Sequence, residues 1–323
     1  MQAMRIVPTP LRFGAAVAVL AIGATFSLPV QAIDWDAVPG TDVTLFYPGQ
    51  ASWEWVLTKS DHSGAPKFRE GKNCIECHGG EEADMGALIV SGKKLEPTPI
   101  PGKRGSVKAT VKAANDGQRL YVRLEWPEAP ALTGPKMDPD FENKVTMMID
   151  DGHVLEAKRA GCWGACHDDA IGMASAKPGT DLTKYLAHSR TKITRQGGDE
   201  NYKSDAEIAE MLADGQYLEY WQARFNKDGK PVAVDGYILE SRHQNESALV
   251  NAEASLADGN WTVVLSRALQ VGAPGHKNLA PGTIYNVGFA IHDGNAAHRF
   301  HYVSFEHTLV LDQGNADIVA VRQ

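Results

Sequence analysis

Cys74, Cys77 and His78, in "NCIECHGG", have the spacing at which two thiols reach the two vinyl groups of a porphyrin while the next imidazole meets its iron. The C-x-x-C half of this motif is also half of a four-ligand zinc site, and two cysteines of an exported chain can close a disulfide. The histidine directly after the pair favours a c-type haem. A second group, Cys162, Cys166 and His167 in "GCWGACHDD", has three residues between its cysteines instead of two. Three still span the vinyl positions if the loop bulges, and Gly164 offers the backbone freedom for it. Zinc held with remote histidines, or a plain disulfide, compete for this second group. The two groups use all four cysteines of the chain. A disulfide has no need of histidine, so a histidine after each pair points to two covalently bound c-type haems.

Each motif supplies one axial ligand, and the other decides between a closed electron carrier and an open reaction centre. For the first haem, the metal ligands His78 and His62 are the preferred pair, with Met85 as the alternative to His62. Two histidines set a lower potential than histidine with methionine, because a thioether favours ferrous iron. The same Met85 also reads as ordinary core packing. For the second haem the candidates are Met173, His188, His243, His292, His298 and His301. The densest group is "FAIHDGNAAHRFHYVSFEH", where strand alternation puts His301 and Val303 on one face and Phe300 and Tyr302 on the other. His292 and His298 flank a turn and are expected to be exposed.

The elements that must hold these residues are mostly strands. "SVKATVKA" and "RLYVRLEW" alternate apolar and polar residues around "NDG", which predicts a β-hairpin. "KVTMMID", "GYILESR", "EASLADGNWTVVLSRAL", "IYNVGFAIHDG" and "FHYVSFEHTLVLD" read as further strands. Short strands with regular turn signals predict a mainly β fold, an antiparallel β-sandwich. A helical insertion is expected over about 165–226: "DLTKYLAHS" from a cap at Asp181, "SDAEIAEMLADG" from Ser204 to Gly215, and a helical continuation through "QYLEYWQARF". "ASWEWVLTKSDH" is a short helix candidate, and "GKKLEPTPIPGKRGS" a loop or linker. The expected organisation is a leader over 1–32, a small c-type haem segment over 33–103 and the β-sandwich domain over 104–323.

Arg5 and Arg12, the apolar run "FGAAVAVLAIGATF" and the small residues of "VQA" form a secretory signal with cleavage expected after Ala32. Export from a bacterial cell implies a periplasmic protein, with no stable membrane span once the leader is removed. The formal net charge is −8 over the whole chain. That acidity argues against nucleic acid and for partners with basic surfaces.

The segments "RLYVRLEWPE", "KVTMMIDDG", "GCWGACHDD", "DGNWTVVLSRAL" and "YNVGFAIHDGNAAHRFHYVSF" together resemble the haem-binding domain of the ethylbenzene dehydrogenase type, over roughly residues 104–313. That domain is the β-sandwich haem subunit associated with type II dimethyl sulfoxide reductases. The N-terminal part, "FYPGQASWEWV…GKNCIECHGGEEADMGALIVSG", is similar to dihaem c-type relatives, some found with NapC/NirT-type cytochromes. In the enzyme-associated members a methionine and a lysine hold haem b. The resemblance puts Met173 near that methionine and His301 in the place of that lysine. The covalent anchors here depart from the haem b pattern, which implies His167 and His301 as the second iron's ligands and Met173 as packing.

The expected function is a periplasmic dihaem cytochrome c. It would pass single electrons between a quinol-linked membrane donor, such as a NapC/NirT-type cytochrome, and a soluble or terminal oxidoreductase. The sequence leaves two other readings open. One is a haem enzyme reducing a small oxyanion at an open iron beside Arg299; the other is a haem subunit of a larger complex.

Overall fold

The alternating stretches fold as strands that pair with their neighbours in sequence. The computed structural model describes residues 33–50, 53–130, 138, 140–165, 167–168, 183–192, 202–294 and 300–323. Fifteen strands lie among them. The first eight are β1 Gly40–Phe46, β2 Ser106–Asn115, β3 Arg119–Pro127, β4 Asn143–Asp150, β5 His167–Asp168, β6 Thr183–Lys184, β7 Leu218–Phe225 and β8 Val232–Ile238. The rest are β9 Arg242–Gln244, β10 Asn251–Ala257, β11 Asn260–Ala268, β12 Ile284–Asp293, β13 Tyr302–Val303, β14 His307–Leu311 and β15 Ile318–Arg322. The helices are short: α1 Trp53–Val56, α2 Ala65–Arg69, α3 Ile75–His78, α4 Glu82–Val90, α5 Leu155–Ala160 and α6 Asp205–Ala213. No helix among the described residues is long and apolar enough to cross a membrane.

Thirteen strands form one sheet in the order β10-β11-β3-β2-β1-β13-β12-β4-β7-β8-β9, with β14 pairing β12 and β15 returning to β2. The pairings are antiparallel except β14 with β15 and β15 with β2. The sheet folds over on itself as a β-sandwich. Val111 and Ala113 of β2 and Leu120, Val122 and Leu124 of β3 share one core with Met147 of β4, Trp221 of β7 and Phe289 of β12. Aromatic rings join the two walls: Phe225 of β7 lies 4.8 Å from Trp261 of β11 and 6.4 Å from Trp126 of β3, centroid to centroid. Residues 33–323 pack as one unit, with β1 of the N-terminal segment paired along its whole length to β2.

A second core lies on the other face of β12, β4 and β7. It gathers Phe46, Met148, Tyr220, Ala290 and Phe305 with residues of the short helices. Strands β4 and β7 are therefore buried on both sides, and this corrects one sequence expectation. "QYLEYWQARF" is the strand β7 and not a continuing helix, because a strand covered on both faces loses the apolar–polar alternation that marks it. Over 183–189 the chain forms the short strand β6 and a 3₁₀ turn at Ala187–Ser189 in place of a helix; Asp181 lies outside the described residues. The α6 helix forms as its signals predict: Ser204 and Glu207 make a reciprocal capping box, and Gly215 follows in a left-handed conformation (φ 76°). "FHYVSFEHTLVLD" divides into β13 and β14.

Phe225→Ala, which removes the ring bridging the two walls, is expected to cost about 3–5 kcal/mol of unfolding free energy, read from urea denaturation midpoints.

Candidate haem sites

The turn carrying the first motif is built by its own side chains. The Asn73 side-chain oxygen accepts from the Glu76 N–H, and the Glu76 carboxylate accepts from the Asn73 N–H, both at 2.9 Å. This reciprocal cap starts one turn of helix, in which His78 N–H bonds back to the Cys74 carbonyl at 2.8 Å. Cys74 is buried, Cys77 exposed and His78 half-buried. Neither Cys74 nor Cys77 is in a disulfide.

His62, from the loop between α1 and α2, faces His78 across a cavity of about 590 Å³. The two ring centroids are 6.1 Å apart, with planes inclined at 42°. The Nδ1 atom of His62 donates to the Val56 carbonyl and that of His78 to the Glu81 carboxylate, each at 3.0 Å. These bonds fix the tautomers and leave both Nε2 lone pairs for a ligand. An iron with about 2.0 Å to each Nε2, plus about 1.1 Å from nitrogen to ring centre, would set the centroids about 6.2 Å apart. The observed separation fits a metal held between two imidazoles. Gly64 makes the space for His62: a Cβ there would lie 2.9 Å from its Cε1 and 3.1 Å from its Nε2. Burial, reinforced by His78 and Lys94, holds the His62 pKa below its ordinary value despite the Val56 bond, which favours the neutral, ligating imidazole. Met85, on α4, is half-buried and lines the same cavity. It therefore flanks the space that the two histidines span.

One wall of this cavity comes from distant parts of the chain, with Trp163 and Phe305 lining it beside Cys74 and Cys77. The Phe305 ring stacks at 6.4 Å from His78 and sits 4.7 Å from Phe46. The backbone is tied in as well. Cys74 N–H donates to the Arg159 carbonyl at 2.9 Å, Trp163 N–H to the Ser304 carbonyl at 3.4 Å, and Ile75 N–H to the Glu306 carboxylate at 2.9 Å. Arg159 in turn lies over the Phe68 ring at 3.9 Å and donates through Nε to the Lys72 carbonyl. Burial pushes the Cys74 thiol well up and the Glu306 carboxyl up to about 7; the second Glu306 oxygen has no hydrogen-bond partner.

The second motif begins in a 3₁₀ turn, Gly161–Gly164. The residue that needs glycine's backbone freedom is Gly161, in place of the expected Gly164. Its φ is 57°, and a Cβ there would fall 2.4 Å from the Phe305 backbone. Gly164 has no positive φ; it allows close packing, since a Cβ would touch Ala160 and the Glu156 carbonyl at 3.0 Å. Cys162 is buried against β12, its backbone occupying the space a side chain on Gly288 would fill. Cys166, Met173, His298 and Arg299 lie outside the described residues. The backbone of His167 pairs with Lys184.

Two of the histidine candidates for this second site are engaged elsewhere. His188 uses both ring nitrogens, on Glu156 and the Gln216 carbonyl at 3.0 Å each. His243 directs Nε2 to Glu240 and Ser241 and stacks 4.4 Å from Tyr237. His301 is half-buried and stacks on His292, with ring centroids 4.4 Å apart. The expected faces hold there, since Phe300 stacks on Tyr47 of the sandwich core, away from His301. His292 corrects its expectation: it is buried at 8% exposure, and its Nδ1 has no hydrogen-bond partner. It lies inside β12, whose pairing runs through Asp293 beyond the apparent turn signal.

A family model for ethylbenzene dehydrogenase matches residues 32–251 and 243–304, most of the chain. The chain belongs to the ethylbenzene dehydrogenase family. Cytochrome c-552 of Stutzerimonas stutzeri is 39% identical over 95% of this chain and 96% of its own, and cytochrome c-551 of Rhodocyclus tenuis is 32% identical over 90% and 99%. Among solved structures, a family 9 carbohydrate-binding module from Caldicellulosiruptor kristjanssonii in complex with cellotriose covers 69% of this chain and 80% of its own. Its identity is 13% and its TM-score 0.30. Within the ethylbenzene dehydrogenase family, then, this chain surrounds its first motif with residues the sequence did not single out. Glu81 was within reach of sequence reasoning, being only three positions after His78, across the short turn from α3 to α4. Gly64, Phe305 and Glu306 carry no local signal, because their role depends on chain segments meeting in space.

A carboxyl that titrates near 7 in the fold but near 4.5 when unfolded is still protonated in the fold where the unfolded chain has ionised. Stability is therefore greatest below the unfolded value and falls as pH rises from about 4.5 to about 7. Glu306→Gln should flatten that fall, with the gain over wild type, on the order of 1–3 kcal/mol, present at pH 8 and absent at pH 4 in urea midpoints.

Proposed function

We propose that this chain is a periplasmic electron-transfer cytochrome c carrying two covalently bound haems. The observation that carries the reading is the pair His62 and His78, which line one cavity with ring centroids 6.1 Å apart and each spend Nδ1 on a protein acceptor, leaving Nε2 uncommitted. Cys74 and Cys77 would tether the first haem and the two histidines would ligate its iron. Cys162, Cys166 and His167 would hold the second, with His301 opposite. A haem so held supplies one-electron iron chemistry. With His62 and His78 both available to hold the group, the chain's own residues would keep that chemistry outer-sphere, since a substrate would find no free position at the first site. The Val56 carbonyl and the Glu81 carboxylate accept from the two rings, which would raise the rings' basicity and so favour the ferric state of an iron they held. Trp163, Phe305 and Phe46 line one wall of the site with apolar rings, which lowers the local dielectric on that side. The near-full-length similarity to cytochromes c-552 and c-551 supports the same reading. The electrons would pass between a quinol-linked membrane donor, such as a NapC/NirT-type cytochrome, and a terminal or soluble oxidoreductase.

The deciding experiment is the mass of the purified chain with a covalent-haem stain, which should give two haems per chain. One haem with a bound zinc would reject the dihaem assignment. His62→Ala should convert one low-spin haem to high spin in the ferric absorption and electron paramagnetic resonance spectra. His301→Ala should do the same for the other haem, and an unchanged spectrum would reject that ligand.

A further inference from the structure

The cavity of the first site opens onto a surface whose charge opposes that of the whole molecule. Lys59, Lys67, Lys72 and Lys94 line it, against one acid, Asp61. These lysines come from four different segments: the turn after α1, α2, the approach to the motif, and the loop after α4. All four are exposed. Lys72 is balanced by Glu76 at 2.6 Å, whereas Lys59, Lys67 and Lys94 have no ion-pair partner among the described residues. A chain of net charge −8 has thus gathered unbalanced positive charge around its redox cavity.

We infer that this lysine-rimmed mouth is the electron port, and that it docks a redox partner through an acidic face on that partner. The inference rests on the haem reading of the first site, and it reverses the expectation of a basic partner drawn from the net charge. Local charge at a concave mouth focuses the field where encounter occurs, whereas charges more than a Debye length away are screened, about 10 Å at 0.1 M salt. Acids elsewhere on the surface therefore steer less than the three lysines at the opening. The partner recognised by this chemistry is a protein presenting several carboxylates beside its own redox centre.

The test uses the full holoprotein and small redox complexes as probes of the local field. The reduced protein loses one electron to hexacyanoferrate(III), which becomes hexacyanoferrate(II), and the rate is followed by stopped flow against ionic strength. The mass of the proteolytic peptide carrying Cys74 and Cys77 is taken first. A peptide without the haem mass would overturn the functional reading itself, and the port with it. With haem present, the wild-type rate should fall as salt rises, the sign for attraction between an anion and a positive site. Combined Lys59→Gln, Lys67→Gln and Lys94→Gln should slow the low-salt rate about tenfold and flatten the salt dependence. Lys108→Gln, on the exposed face of β2, should change neither. Three results would overturn the inference: a wild-type rate that rises with salt, a triple variant that reacts as wild type, or a triple variant whose midpoint potential moves while its salt dependence stays. The last would mean that the lysines neutralise the haem's own carboxylates.

Discussion

Three strands, β12, β4 and β7, are covered on both faces, and the rest of the molecule is arranged to supply the second cover. One face closes the β-sandwich and needs only the opposite wall of the sheet. The other face cannot be left to water, because it carries Met148, Tyr220 and Ala290. The short helices, the 3₁₀ turn of the second cysteine motif and the segment around Phe305 pack there. None of these pieces is long enough to be stable alone, and each is held by what it covers. The cavity between His62 and His78 lies within this layer, so the features that complete the fold also shape the site.

The layer fixes the chemistry through ring orientation. An imidazole on a surface loop turns freely about its side-chain torsions, but His62 and His78 each spend one nitrogen on a protein acceptor. Val56, at the end of α1, and Glu81, just before α4, are set by helices that flank the cavity. The cost of ordering the rings is thus met in the folded chain before any ligand arrives, which is the physical meaning of preorganisation.

Much of this was legible from local sequence. The alternation of "SVKATVKA" and "RLYVRLEW" around "NDG" marks the β2–β3 hairpin, and Ser204 with Glu207 marks the start of α6. Both depend on residues within a few positions of one another. The nearness of His62 to His78 was open to local reading for the same reason, the two being sixteen positions apart. What escaped depends on distant segments. β7 hid its strand character because both faces are buried, and His292 looked like a turn residue until its pairing with β4 was seen. The need for glycine at 161 comes from the Phe305 backbone lying against it, and no pattern near 161 carries that information.

The bond from Ile75 N–H to Glu306 spans 231 positions, and the one from Cys74 N–H reaches Arg159, beyond three further strands of the sheet. A chain delivered N-terminus first exposes the 74–78 turn long before either acceptor exists. Loop closure over such separations is slow relative to formation of a local turn. Cys74 is therefore accessible while the chain is incomplete and becomes buried once β14 and the segment before it arrive, whereas Cys77 stays exposed. Assembly has an order written into the topology: the 74–78 turn forms early, and closure of the wall that shelters Cys74 comes last.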